Sequence, residues 1–287
     1  IIHDLFGNGI VIGGPFEPDV RDGGLLAVGA GRVSIASTGL EAFNKMARNI
    51  AAQVVDEERR GMLIGCTPAA VDQPDDACAR QFIERVGRFM YRRPMTDAEL
   101  QDRVAAAREA AQIRGDFYLG LETSLVTMLV SPNFLFLVES SEPDPNHPGL
   151  ERLDAYSKAA RLSFFLWNNS PDEVLLDAAA SGALHTRKGV AEQVDRMLAS
   201  PQIEEGVRAF FTDMLEFELF GALSKDQVLY PKYNFTMAEA AKEQTLRTIV
   251  DHLVVRGGDY RDLFTTGETF LTRELAAVYQ VQLSALG

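Results

Sequence analysis

Apolar residues recur at intervals of three and four along most of the chain, and this periodicity constrains the fold more than any other feature. One stripe consists of Phe43, Met46, Ile50 and Val54, and further stripes lie within residues 82–90, 119–129, 190–198, 203–215 and 246–254. This interval keeps side chains on one face of an α-helix, whereas a half-buried strand needs an interval of two. Strand signals are confined to GIVIGG (9–14) and GRVSIAS (31–37). The sequence therefore predicts a mainly α fold, a multi-helix orthogonal bundle with a loop-rich N-terminal lead-in.

Four segments that each precede a helical apolar pattern carry the spacing of a capping box, in which a serine or threonine precedes a glutamate by three residues. They are Thr38–Glu41, Thr96–Glu99, Ser170–Glu173 and Thr236–Glu239. In a capping box the hydroxyl and the carboxylate each accept a hydrogen bond from an amide that the first helical turn leaves unpaired. We predict a helix start at each of these positions.

The segment LSFFLWNNSPDEVLLDAA (162–179) changes abruptly from apolar to polar and contains the chain's only tryptophan, Trp167. A helix that is apolar nearly all round is buried on several sides. Asn168 and Asn169 then leave the helix, and Pro171 and Asp172 begin the next one. We interpret Trp167, Pro171 and Asp172 as a core corner between two helices, and not as a membrane anchor.

The charge balance excludes several classes of partner. The chain has 28 basic and 41 acidic residues, a net charge of −13, which repels nucleic-acid phosphates and anionic lipid. No apolar run approaches the roughly 20 residues of a transmembrane helix, so we predict neither nucleic-acid binding nor a transmembrane span. The first residue is isoleucine and no signal-peptide pattern follows it, which we interpret as the start of a processed or trimmed piece of a longer protein.

Cys66 and Cys78 enclose eleven residues rich in proline, aspartate and alanine. Their spacing is not that of a CxxC metal site, and the chain has no CxxCH haem-attachment motif. Two free thiols are one interpretation. We favour a disulfide, which would stabilise the fold by about 2–3 kcal/mol through loop-closure entropy and would indicate an oxidising, extracytoplasmic compartment.

For three further residues, a ligand-binding role and a structural role are both open. Arg92 and Arg93 have the chemistry to contact an anion or a haem propionate, or instead to pair with helix C-terminal carbonyls and acidic neighbours. His252, beside Asp251, is a candidate ligand for a haem iron supplied from elsewhere, with a surface or cap histidine as the alternative. The four histidines are scattered singly, without an HExxH motif, so we predict no metal site.

Two loops carry carboxylates as a calcium site would, Glu17–Gly24 and Glu142–His147, but neither has EF-hand spacing. No nucleophile or dinucleotide motif is present. We therefore expect no catalytic residues and no cofactor bound by this chain alone.

Loop segments rich in proline and glycine predict the domain boundaries. We predict an N-terminal lead-in over 1–58, a helical region with the cysteine-closed loop over 59–139, a linker over 140–150 and a second helical region over 151–287.

Five ordered motifs resemble a bacterial family of exported, cytochrome-associated proteins of unknown function, catalogued as consecutive domains of unknown function 1587, 1595, 1592, 1588 and 1585. The family pattern L-S-x-F-L-W-x-S-x-P-D-x-x-L-L-x-A-A is similar to residues 162–179. The other motifs are IIHDLFG, FMYRRPMTDAEL, SPNFLFLVE and TFLTRELAAVYQV. His3 and Leu137 stand where the family commonly has arginine, and Gln280 stands where it has glycine.

The resemblance implies that full-length relatives are exported and carry a c-type haem in a neighbouring domain or subunit. We expect a periplasmic or otherwise extracytoplasmic helical module that scaffolds or docks a c-type cytochrome, with cytochrome or respiratory-complex subunits as partners and no active site of its own. One alternative is the pocket-forming part of a secreted haem-dependent oxidoreductase. Another is a structural subunit of a larger assembly.

Overall fold

The computed structural model describes residues 1–14, 21, 26, 35–226, 228–231 and 233–281. Helices predominate among them, which confirms the predicted mainly α class. Most of the segment GRVSIAS and of the loop Glu17–Gly24 lies outside the described residues, so the lead-in is described only in part.

The α-helices that precede residue 140 differ widely in length. They are α1 (Ile2–Phe6), α2 (Ser37–Val55), α3 (Arg60–Leu63), α4 (Asp76–Met90), α5 (Asp97–Arg114), α6 (Phe117–Leu129) and α7 (Pro132–Leu135).

The predicted linker forms the first strand and the turn of an antiparallel hairpin. Strands β1 (Ser141–Pro143) and β2 (Glu151–Leu153) pair with Glu142 opposite Arg152. The Arg152 guanidinium forms an ion pair with the Glu142 carboxylate across the strands at 2.6 Å. Cross-strand pairs of opposite charge stabilise such a ladder.

Helices also account for most of the chain after the hairpin. They are α8 (Ala155–Trp167), α9 (Glu173–Ala180), α10 (Arg187–Leu198), α11 (Ile203–Met214), α12 (Phe235–Val250) and α13 (Arg273–Tyr279). Shorter 3₁₀ turns lie at Ala183–His185, Phe217–Ala222 and Tyr260–Phe264, and a π-helix, Asp251–Val255, continues α12.

The described residues form two compact units. The first holds residues 1–14, 35–164 and 169–195, and the second holds residues 21, 26, 165–168 and 196–281 apart from 227 and 232.

The core of the first unit is built around α6, which packs against α2, α4 and α5. Leu121, Leu125 and Met128 on α6 are fully buried. A Cβ on Gly120 would lie 2.4 Å from the Ala107 carbonyl oxygen, so glycine is what allows α6 to approach α5 this closely. This arrangement explains why the sequence of α6 is apolar on most of its surface.

One of the four predicted capping boxes is present. Thr96 accepts a hydrogen bond from the Glu99 amide at 3.2 Å, and Glu99 accepts one from the Thr96 amide at 2.8 Å. The other three predictions are wrong: the N-caps are Ala36, Asp172 and Asn234 instead of Thr38, Ser170 and Thr236. Asp172 and Asn234 each lie two residues from the predicted cap and accept the capping hydrogen bond with their own side chains, which are at least as good caps as a hydroxyl.

The second unit has a smaller core. Phe211, Phe217, Leu246 and Ile249 are buried, with Val207, Phe220, Leu253 and Leu263 packed against them. Arg208 on α11 pairs with Glu204 at 2.7 Å and with Glu243 on α12 at 2.9 Å, and its hydrogen bonds to these carboxylates raise the pKa of Arg208. Along the described ranges, no helix has the length and apolarity to cross a membrane.

Candidate functional site

The predicted disulfide between Cys66 and Cys78 is confirmed, with an S–S distance of 2.02 Å. Asp75 caps α4 inside the closed loop and accepts hydrogen bonds from the amides of Cys78 and Ala69, both at 3.0 Å. These bonds lower the pKa of the Asp75 carboxyl. The Val71 carbonyl accepts from the Phe117 amide at 2.7 Å. The disulfide therefore closes a loop that is bonded to the starts of two core helices.

The guanidinium of Arg92 is buried against α7. It donates to the carbonyl oxygens of Asn133 at 2.6 Å and Phe136 at 2.5 Å, and it lies 6.0 Å from the centroid of the Phe164 ring. Only 5% of Arg92 is exposed, and its φ is 58°. Desolvation, together with the neighbouring charge of Arg93, lowers the pKa of Arg92 to about 10. The N–H groups of the Arg92 guanidinium thus donate to backbone carbonyls at the end of α7.

Arg93 forms a bidentate pair with Glu99, whose two carboxylate oxygens accept at 2.9 and 2.8 Å. Glu99 also accepts from the Asn133 side-chain amide at 3.0 Å. The hydrogen bonds from Arg93 lower the pKa of Glu99 to about 2, although burial opposes this shift. An external anion or haem propionate at Arg93 would have to replace the Glu99 carboxylate, so this contact stays a prediction.

The predicted corner is divided between the two units. In the second, Trp167 is 1% exposed and donates from Nε1 to the Met197 carbonyl oxygen at 3.0 Å, with the Arg196 guanidinium 5.5 Å from its ring centroid. In the first, Pro171 is buried and Asp172 accepts from the Leu175 amide at 2.9 Å to begin α9. Asn168, between them, has a φ of 52°, which ends α8 in a left-handed conformation.

A cavity of about 780 Å³ opens beside the π-helix of the second unit. We call it the π-helix cavity. Its walls come from α12 and the π-helix (Thr248, Asp251, His252, Arg256), from residues 266–271 and from the end of α13 (Tyr279). The sequence indicated His252 beside Asp251 as a candidate ligand, and the motif TFLTRELAAVYQV (269–281) supplies other residues of this wall. The two segments are brought together only by the tertiary fold. π-Helical turns occur frequently at functional sites.

His252 is fixed within this wall. Its Nε2 lies 2.8 Å from the Asp259 carbonyl oxygen, and because a carbonyl only accepts, Nε2 carries the proton. A Cβ on Gly258 would lie 2.6 Å from Nε2, so any larger residue at 258 would require the imidazole to move. Ligation of a haem iron by His252, the candidate role weighed against a surface or cap histidine, would have to use Nδ1 or break this hydrogen bond.

Among the described residues, no group of three or more histidine, cysteine, aspartate or glutamate side chains is placed to hold a metal ion. The carboxylate-bearing loop Glu142–His147, which lacks EF-hand spacing, has its own internal pairing, since Asp144 accepts from His147 Nδ1 at 2.8 Å and Glu142 pairs with Arg152. The loop Glu17–Gly24 lies largely outside the described residues.

Comparison with protein families returned two matches. The family model PSD5, described as "Protein of unknown function (DUF1595)", matches residues 78–139. The model PSD4, described as "Protein of unknown function (DUF1592)", matches residues 153–281. No curated protein and no solved structure matches the chain. The order of the two matches agrees with the order of the motifs, and the chain therefore carries a DUF1595 region followed by a DUF1592 region, both of unknown function.

Proposed function

We propose that this chain is an extracytoplasmic helical module that docks a c-type cytochrome domain or subunit and positions it for electron transfer, while the partner supplies the haem chemistry. The observation that carries the proposal is an exposed aromatic surface on the second unit.

This aromatic surface consists of Phe210, Met214, Tyr260 and Phe264, which are 58%, 44%, 45% and 69% exposed. The rings of Phe210 and Tyr260 both contact the buried ring of Phe211, with centroid distances of 5.2 and 6.3 Å. Phe264 lies against Tyr260 at 5.5 Å. The aromatic rings therefore form one contiguous cluster that is anchored in the core of the unit.

Aromatic side chains with a fixed position are the residues that most often dominate binding energy at protein interfaces. Contiguous exposed apolar patches mark such interfaces more often than they mark ordinary surface. The fixed contacts with Phe211 also reduce the side-chain entropy that binding would otherwise remove. This surface supports a docking role better than an isolated exposed phenylalanine would.

Charge favours a basic partner. The chain carries a net charge of −13, and the helix that bears Phe210 and the turn after it also bear Glu205 and Glu216, both exposed. A c-type cytochrome whose exposed haem edge is surrounded by lysines is complementary in both respects, with an apolar centre and a positive rim. The Cys66–Cys78 disulfide is compatible with an oxidising compartment, where such cytochromes occur.

The test is a calorimetric titration of the protein with a soluble monohaem c-type cytochrome of basic surface, in parallel with Phe210→Ser/Phe264→Ser. We expect the double variant to weaken binding by about tenfold or more. Ile113→Ser is the matched control, because Ile113 is 84% exposed and lies in the other unit. Affinity should fall when the salt concentration rises from about 10 to about 500 mM, since screening removes the charge contribution.

Absence of binding at low salt, or equal weakening by the double variant and by Ile113→Ser, would contradict docking through the aromatic surface. Binding that leaves the rate of electron transfer from the cytochrome to a second redox protein unchanged would favour the structural subunit instead.

A second candidate, the pocket-forming part of a secreted haem-dependent oxidoreductase, is favoured by the π-helix cavity. It predicts that the intact haem-containing assembly turns over a small substrate and that substitutions in the cavity abolish turnover without loss of the haem spectrum.

A further inference from the structure

We infer that the π-helix cavity is a binding site for a neutral, polyhydroxylated small molecule of the size of a monosaccharide or disaccharide. This inference does not depend on the docking of a cytochrome. Its volume of about 780 Å³ lies within the range of about 300–1,000 Å³ that is typical of small-molecule sites.

The charges of the cavity determine the class of ligand. Arg256 Nε lies 2.7 Å from the Asp251 carboxylate, and its Nη1 pairs with Glu268. Two carboxylates therefore flank the Arg256 guanidinium and neutralise it, so no uncompensated positive charge is left in the wall to attract an anionic ligand. Both carboxylates raise the pKa of Arg256, and the largest cause is the hydrogen bond that Arg256 donates to Glu268.

A cationic ligand is disfavoured for a different reason. The Arg247 guanidinium lies 4.7 Å from the centroid of the Phe270 ring, which lines the cavity. The Phe270 ring is therefore already in contact with a cation. The positive charges of Arg247 and Arg256 match the two carboxylates, so no uncompensated negative charge is left to attract a cationic ligand. An uncharged ligand suits this balance.

Hydrogen-bonding groups remain for such a ligand. No described residue accepts from the two Nη2 protons of Arg256, whose side chain is 53% exposed. The Glu268 carboxylate is 69% exposed. The donors of the guanidinium and the acceptors of the carboxylate lie side by side, an arrangement that matches vicinal hydroxyl groups, each of which donates and accepts.

Hydrogen bonds within the protein hold the hydroxyls of two threonines in the cavity wall. Gln244, which is 9% exposed, donates from Nε2 to Thr269 Oγ1 at 3.0 Å. Thr248 Oγ1 lies 3.1 Å from Thr269 Oγ1 and donates to the Gln244 carbonyl at 2.8 Å. Hydroxyls held in this way are oriented before any ligand arrives, which lowers the entropic cost of binding.

Apolar side chains complete the cavity. Phe270, Leu271 and Tyr279 lie among its lining residues, and the apolar C–H face of a sugar ring packs against such groups while its hydroxyls reach polar ones. Three features together indicate a neutral sugar-like ligand. They are the paired donor and acceptor of Arg256 and Glu268, the oriented threonine hydroxyls and the apolar wall.

The test is saturation-transfer difference NMR on the full chain with glucose, mannose, xylose and N-acetylglucosamine as neutral probes. Glucuronate is the anionic probe and glucosamine the cationic one. We expect saturation transfer to at least one neutral sugar and a weaker signal from both charged analogues. Thr269→Val and Glu268→Gln should each weaken the affinity by about fivefold, which is the effect of one lost hydrogen bond.

Thr265→Val is the matched control, because Thr265 lies in the same segment, bonds only to the Asp262 carbonyl at 3.2 Å and does not line the cavity. Circular dichroism checks that each variant is folded. The inference is overturned if none of the neutral probes receives saturation, if a charged analogue binds most tightly, or if Thr265→Val weakens binding as much as Thr269→Val does. Loss of sugar binding with cytochrome binding retained, or the reverse, distinguishes this inference from the docking proposal.

Discussion

The Arg93 guanidinium and the Glu99 carboxylate form two parallel hydrogen bonds of 2.9 and 2.8 Å. Glu99 simultaneously completes the capping box of α5 through the Thr96 amide. A single carboxylate thus fixes both the start of a helix and the side chain of the arginine that precedes it, which explains the spacing of residues in the RRPMTDAE segment.

Glu99→Gln should lower the free energy of unfolding at pH 7 by about 1–2 kcal/mol, after allowance for solvent screening. The pKa of the Glu99 carboxyl is about 2 in the folded state and has an ordinary value of 4.5. A lowered folded-state pKa stabilises the protein above about pH 4.5, and this stabilisation is lost as the pH falls towards 2. Urea unfolding between pH 7 and pH 2 measures it, and the difference from the wild type should shrink across this range.

Glu109→Gln is the control for this experiment, because Glu109 is exposed on the same helix. If both variants lose the same stability, or if the loss for Glu99→Gln does not depend on pH, the pair with Arg93 is not its source.

Cys66→Ala/Cys78→Ala should lower the free energy of unfolding by about 3 kcal/mol, the loop-closure value for two cysteines twelve residues apart. Reduction of the wild type with dithiothreitol should lower the free energy of unfolding by a similar amount, seen as a lower urea midpoint. The double variant provides the control, because a reductant has no disulfide to break in it. A reduced wild type with an unchanged midpoint would show that the loop is held by the hydrogen bonds of Asp75 and Val71 alone.

Periodicity predicted the helices well because burial of one face sets both the sequence pattern and the structure. The helix starts were less predictable. At Ser170 and Thr236 the cap shifted by two residues to Asp172 and Asn234, since neighbouring polar side chains compete for the same amides and their energies differ by only a few tenths of a kcal/mol. At Thr96 no such competitor precedes the helix, and the predicted box is present.

The π-helix cavity had little signal in the sequence. His252 is held by the backbone of Asp259, and Arg256 is held partly by Glu268. The local sequence of each segment does not show which other segment it contacts. The segment DHLVV also has nothing that distinguishes a π-helix from an α-helix. The arginine pair was only partly predictable for the same reason: the sequence could pair Arg93 with an acidic neighbour, but it could not place the α7 carbonyls over Arg92.

Gln280→Gly should raise the free energy of unfolding by about 0.5–1 kcal/mol. Gln280 follows α13 with a φ of 57°, a left-handed conformation that costs residues with a Cβ more than it costs glycine. Thermal unfolding measures the change, and Gln101→Gly, at an exposed position inside α5, should change stability in the opposite direction because glycine disfavours a helix interior. A loss of stability in both variants would contradict the role assigned to the φ of Gln280.

Gly206→Ala should destabilise the second unit by about 1–3 kcal/mol or more. This is the typical cost of overpacking. A Cβ on Gly206 would lie 1.9 Å from the Leu166 carbonyl oxygen and 3.2 Å from the Trp167 amide nitrogen. Both are backbone atoms, so no side-chain rotation relieves the clash, and α11 would have to move away from the end of α8. Trp167 is the only tryptophan and is 1% exposed, so its fluorescence during urea unfolding reports the change directly. Gly61→Ala is the matched control, because a Cβ there meets nothing within 4 Å. A Gly206→Ala variant as stable as Gly61→Ala would show that α11 does not need this close approach.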